Sequence, residues 1–158
     1  MTSEATGLVT VRLQRFPLAL FARVQEHGAE LMREFALLAM RPEAAEHGQV
    51  PRRLLMVMEE LGARYAGLGD APDAVRDEAL ASGAAEVDLV YTVPVDIRDD
   101  MLRLGALLDE ADEFCRAEQL LTLASPPEVV AFRRWFLGEF VRQIDGGTPR
   151  PWTDSGAA

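Results

Sequence analysis

Two short stretches of the chain alternate apolar and polar residues, and four longer ones repeat apolar residues at helical spacing. In the first, Val9, Val11 and Leu13 alternate with Thr10, Arg12 and Gln14, which predicts a half-buried strand over 8–16 that Pro17 ends. From Leu18 to Met40 the period becomes helical. Leu20, Val24, Leu31, Phe35 and Leu38 share a face with Phe21 and Gly28 beside them, Arg23, Glu26, Glu30, Arg33 and Glu34 take the other, and Arg41-Pro42 stops the run. After a polar loop, Pro51 opens a helix over 52–66 whose inner face is Leu54, Met58, Leu61 and Tyr65. Gly67 to Asp70 breaks it, and a short, weakly apolar helix over 72–81 follows, ending at Gly83. Glu86 to Val93 reads as a second strand, closed by Pro94. Asp96 to Arg116 is again helical, with Ile97, Met101, Leu104, Leu108 and Cys115 inward.

The strongest helix runs over 125–144. Ser125 reads as its N-cap, Pro126 as its first helical residue and Glu128 as the partner in a capping box. Val129, Phe132, Phe136, Leu137, Phe140, Val141 and Ile144 give it the most aromatic stripe of the chain. The fold class that follows is α+β: one compact domain over 7–145 with two strands, four main helices and a short one. A mostly helical fold is the alternative if the alternating stretches are only extended linkers. Residues 1–6 are expected to form a disordered tail and 146–158 a mobile one, although Pro151-Trp152 could pack back onto the body.

The order strand, helix, helix occurs twice, which predicts tandem pseudo-repeats over 7–82 and 83–145 related by a two-fold axis. Pro17 and Pro94 lie 77 residues apart, as do Leu13 and Val90, Leu20 and Ile97, Gly28 and Gly105, and Leu31 and Leu108. Pro51 and Pro127 are offset by 76.

Composition narrows the function classes. The 158 residues carry a net charge of −10, which repels phosphate backbones and anionic membrane surfaces, so neither nucleic acid nor membrane is an expected partner. Every one of the 16 basic residues is Arg, and Asn is absent as well as Lys. Schiff-base, P-loop and Asn-held Mg²⁺ chemistry are therefore excluded within this chain. One cysteine permits no internal disulfide. The N-terminus has no basic-then-apolar pattern, no apolar run is long enough to span a bilayer, and the expected location is cytoplasmic.

No catalytic motif is present, and no cofactor or metal is expected. His27 lies at the edge of a polar helix face with Arg23 beside it, and His47 in a polar loop; both read as solvated rather than as ligands. The acids Asp109, Glu110, Asp112 and Glu113 spread around a helix, as a solvated face does. Two residues depart from the pattern. Arg133 falls in the middle of the apolar arc of the last helix, so it should be buried and paired with Glu110 or Asp112, or else anchor an anionic ligand. Trp135 points away from that arc, and with Arg134, Glu139 and Arg142 it forms a candidate interaction patch, exposed or buried in a dimer; a second small core cluster is the competing reading.

The stretch from Val11 to Phe35, the stretch Leu108-Asp-Glu-Ala-Asp-Glu-Phe-Cys115, and the stretch from Leu120 through Phe132-Arg-Arg-Trp-Phe-Leu-Gly-Glu-Phe140 resemble a group of small proteins of high-GC bacteria. That group looks like companions of anti-sigma kinases, STAS-domain antagonists and PP2C-type phosphatases, the partner-switching modules that control sigma factors. The resemblance covers nearly the whole chain and implies a regulatory role, with no activity or site residue to carry over. Met58 to Tyr65 is similar to the N-box helix of histidine-kinase-type ATPases, but the Mg²⁺-binding Asn is missing and no Asp-x-Gly-x-Gly follows the second strand. The expected function is therefore a non-enzymatic regulator that works through a protein partner or homodimer. A small-molecule sensor with a pocket between the repeats is the alternative, and a diverged nucleotide-binding enzyme is a third reading.

Overall fold

The computed structural model of the chain describes residues 7–41 and 49–154. In chain order the elements are β1 (Leu8–Pro17), α1 (Leu18–Ala39), α2 (Gln49–Arg64), α3 (Asp70–Ala81), β2 (Glu86–Pro94), α4 (Ile97–Ala117) and α5 (Pro127–Ile144). The class is α+β, with the two strands in one antiparallel pair and the helices supplying the rest of the core. Among the described residues no helix is long and apolar enough to cross a membrane. His47 and residues 1–6 lie outside the described residues.

The strands pair from Leu8 opposite Pro94 to Leu13 opposite Leu89, then slip, so that Phe16 meets Val87. Simple alternation would turn Arg15 inward after Val11 and Leu13. A bulge prevents it: Gln14 and Arg15 together oppose Asp88, Arg15 adopts φ 56°, and its N–H donates to Asp88 Oδ1 at 2.8 Å. The extra residue brings Phe16 onto the inner face, where it is fully buried.

The chain does pass through strand, helix, helix twice, β1–α1–α2 and β2–α4–α5, with α3 between. The strands do not carry the 77-residue correspondence. Leu13 is buried, whereas Val90 is 45% exposed. In the observed register Leu13 lies opposite Leu89, and Val90 lies opposite Arg12, so side-chain alternation puts Leu13 and Val90 on opposite faces of the pair.

Three helices end alike. After α5, Gly146 takes φ 96° and its N–H donates to Gln143 O, while the Gly147 N–H donates to Arg142 O at 2.8 Å. This is a Schellman motif. A Cβ on Gly147 would sit 2.9 Å from the Arg142 carbonyl, so the close approach requires glycine. Gly83 ends α3 in the same way, and Gln119 takes the left-handed position after α4.

The motif behind α5 turns the tail back over the molecule. Residues 147–152 are thus a strap rather than a mobile tail. Trp152 is 8% exposed, its ring packs tilted against Phe132 and edge-on against Trp135, and its backbone N–H donates to Gln14 O at 3.0 Å.

Two buried clusters result. One joins the sheet, the start of α1, α5 and the strap around Phe16, Phe132 and Phe140. The other joins α1, α2 and α4 around Phe35, Leu54 and Cys115. Burial, with the nearby Asp112 charge, pushes the Cys115 thiol up to about 11. Cys115 should therefore resist alkylation by iodoacetamide at pH 8 in the folded protein and react only after denaturation. Rapid labelling of the native chain would show that this cluster opens.

Candidate functional site

Where the two clusters meet, α1, α2, α4 and α5 leave a cavity of about 300 Å³. Its walls are apolar: Val24 and Leu31 from α1, Met58 from α2, Leu104 and Leu108 from α4, Phe136 from α5. Gly28 in α1 also lines it, and a Cβ built there meets nothing within 4 Å. The α1 stripe thus has a gap at the position where a helix would ordinarily carry a core side chain.

The polar part of the lining is one connected group, His27, Ser125 and Arg133. Arg133 Nη2 donates to Asp112 Oδ2 at 2.9 Å and to Asp109 Oδ1 at 2.7 Å, and Nη1 donates to Ser125 Oγ at 3.3 Å. The Ser125 N–H donates to the other Asp112 oxygen at 2.9 Å. Ser125 Oγ and His27 Nε2 stand 3.3 Å apart. Burial works to raise the Asp112 pKa, but the hydrogen bonds from the Ser125 N–H and from Arg133 outweigh it and hold the carboxyl below its ordinary range.

Ser125 was the expected N-cap of α5. It sits one residue too early. Pro126 precedes another proline, which keeps it extended at ψ 157°, so the helix begins at Pro127 with Pro126 in the cap position and no side-chain cap. Ser125 is released to the cavity. Glu128, freed from a capping box, pairs with Arg23 at 3.6 Å.

The structure brings Arg133 and Asp112 together, with Asp109 as the second acid. Glu110 is not part of this group. It points to the opposite side of α4 and binds Arg53 of α2. The expected solvated acidic face is therefore split, with Asp112 buried and Glu113 paired outward with Arg116. Two carboxylates thus already face the one guanidinium of Arg133, the residue expected either in an ion pair or as a ligand anchor.

The patch expected at Arg134, Trp135, Glu139 and Arg142 is not free surface. The strap covers it. Trp135 Nε1 donates to Arg150 O at 2.9 Å, and its ring lies against Phe16, Phe132 and Trp152. Glu139 is buried and accepts from Arg142, Gln143 and the Arg150 N–H. Only Arg134 stays exposed, at the rim of an open groove between α4 and α5 that also holds Gly105 and Gly138.

Chemically, the cavity places a hydroxyl and an imidazole side by side. Ser125 and His27 are close enough to be a nucleophile and its base, but the buried acid is spent on the Ser125 backbone and on Arg133. Among the described residues, no carboxylate holds the His27 ring. No group of three or more His, Cys, Asp or Glu placed to hold a metal occurs among the described residues. His27 and Ser125 are 98 positions apart, and no local pattern in the sequence could have joined them.

Comparison of the chain with protein-family models, with curated proteins and with solved structures returns no match.

Proposed function

We propose that this protein is a non-enzymatic binding domain whose cavity takes a small, largely apolar and uncharged molecule with one hydrogen-bonding end. One observation carries the reading: a single apolar cavity wall is interrupted by one connected polar group, His27, Ser125 and Arg133. Ligand sites combine apolar walls with a few converging polar groups in this way, and about 300 Å³ is the lower end of their usual size. The charge balance favours a hydroxyl or carbonyl at the polar end. Ser125 can donate or accept there, whereas a carboxylate would bring a third negative charge to an Arg133 guanidinium that Asp109 and Asp112 already balance.

Such a domain fits a sensor in a regulatory circuit. The ligand would touch α1, α2, α4 and α5 at once, so its binding would set how the two core clusters sit against each other. A cytoplasmic partner protein could read that difference, in keeping with the likeness to partner-switching companions.

Thermal shift with linear alcohols and the carboxylates of equal length tests the proposal. Alcohols should raise the melting temperature and carboxylates should not. Gly28→Leu is the matching variant. It should fill the cavity, abolish the alcohol effect and raise the intrinsic stability by about 0.5–1 kcal/mol, because a mid-helix glycine is replaced where the added carbon meets no obstacle. Equal alcohol responses in both proteins would reject the site.

A further inference from the structure

The two edges of the strand pair are treated differently. Along the outer edge of β1, Gln143 binds the Arg12 backbone twice, accepting from its N–H and donating to its carbonyl, both at 2.8 Å. The strap adds the Trp152 N–H on Gln14 O. The Arg12 backbone groups therefore point away from β2. In an antiparallel pair the residue opposite must behave likewise, so the N–H and C=O of Val90 point outward from β2. By alternation those of Asp88 and Thr92 do too. All three residues are exposed, no third strand lies beside β2, and no hydrogen bond reaches these backbone groups among the described residues.

We propose that this open edge of β2 pairs antiparallel with β2 of a second copy of the chain, joining the two strand pairs into one four-stranded sheet. The sequence of the strand is self-complementary about Val90. With Val90 opposite its own copy, Leu89 faces Tyr91 and Val87 faces Val93 on the inner side, while Asp88 faces Thr92 and Glu86 faces Pro94. No like charges meet. The two acids of the strand are already held within their own chain, Asp88 by the Arg15 N–H and Glu86 by the Arg15 side chain at 3.3 Å. Apart from those two acids, the devices that ordinarily blunt an edge are missing from it: β2 has no basic residue, no bulge of its own and no proline before Pro94. Helix α3, which packs against β2, leaves Val75 and Leu80 exposed, apolar surface that the copy's α3 can cover.

Sedimentation of the full chain, with amide hydrogen exchange, tests this. The wild type should sediment as a dimer, with the Val90 and Thr92 amides protected. Val90→Asp sets two carboxylates face to face and should raise the dimer dissociation constant about tenfold or more. Mixing Val90→Asp with Val90→Arg should restore association between the two. Thr92→Pro removes only an outward N–H, so it should keep the circular dichroism spectrum of the wild type and still lose the dimer. A monomeric wild type, fast-exchanging Val90 and Thr92 amides, or a dimer that all three variants leave intact would each overturn the proposal. Capture of a strand from a different protein by a monomeric chain would do so as well.

Discussion

Arg133→Ala is expected to lower the stability by about 3–5 kcal/mol, the range for stranding a buried charge by removing its partner. The side chains of Arg133 and Asp112 are 10% and 6% exposed, so the pair is largely shielded from water. The alanine variant leaves Asp112 with Ser125 as its one donor residue and Asp109 with no counter-charge. Replacing Arg133 and Asp112 together by apolar residues of similar size should cost much less than Arg133→Ala alone, because no charge is then left behind. Chemical denaturation of the three proteins measures both effects. A pH series adds a sign. The Asp112 pKa is depressed in the folded state, so its contribution is complete above the ordinary carboxylate pKa of about 3.9 and is lost as pH falls through the lower folded value. Asp112→Asn should remove that part of the acid sensitivity.

Trp152→Ala should be comparably costly, again about 3–5 kcal/mol, as for large aromatics cut from a core. The ring is buried against Phe132 and Trp135, and losing it unseats the strap. With the strap go the Arg150 N–H on Glu139 and the Trp152 N–H on Gln14. For the same reason Trp135→Ala is expected to lower the melting temperature, which an interface residue would not do. Thermal melts of both variants decide the point. A strap that is only loosely applied would leave both melts unchanged.

Among the described residues, periodicity was enough to locate both strands and the four longer helices, because each has one face that must leave water; α3, where Pro72 is the one buried residue, was marked instead by the glycines on either side. It could not reveal features set by a single contact across the fold. The bulge depends on Asp88 reaching the Arg15 N–H, and alternation alone would have put Arg15 in the core. The start of α5 moved by one residue because Pro126 is constrained by Pro127, a local rule that the capping-box pattern concealed. The strap was visible only as the pair Pro151-Trp152, since its order comes from two glycines and from Glu139 on another element.

The candidate site was legible in part for the same reason. Arg133 stood out as a cation on an apolar stripe, and its partner had to come from the neighbouring helix. Which acid it would be was a matter of angle: Asp112 and Asp109 face α5, while Glu110 faces α2. Ser125 and His27 carried no such mark, because a serine before prolines reads as a cap and a histidine among charges reads as surface. The cavity itself is an absence of side chain at Gly28, which a stripe of apolar residues does not record.

The most direct measurement of the central claim is a methyl NMR titration of the full chain with heptanol. The account expects saturable shifts concentrated at Leu31, Leu104, Leu108 and Leu137 around the cavity, absent in Gly28→Leu. Shifts scattered over exposed methyls such as Leu8 and Leu121, or an unchanged response in Gly28→Leu, would contradict it.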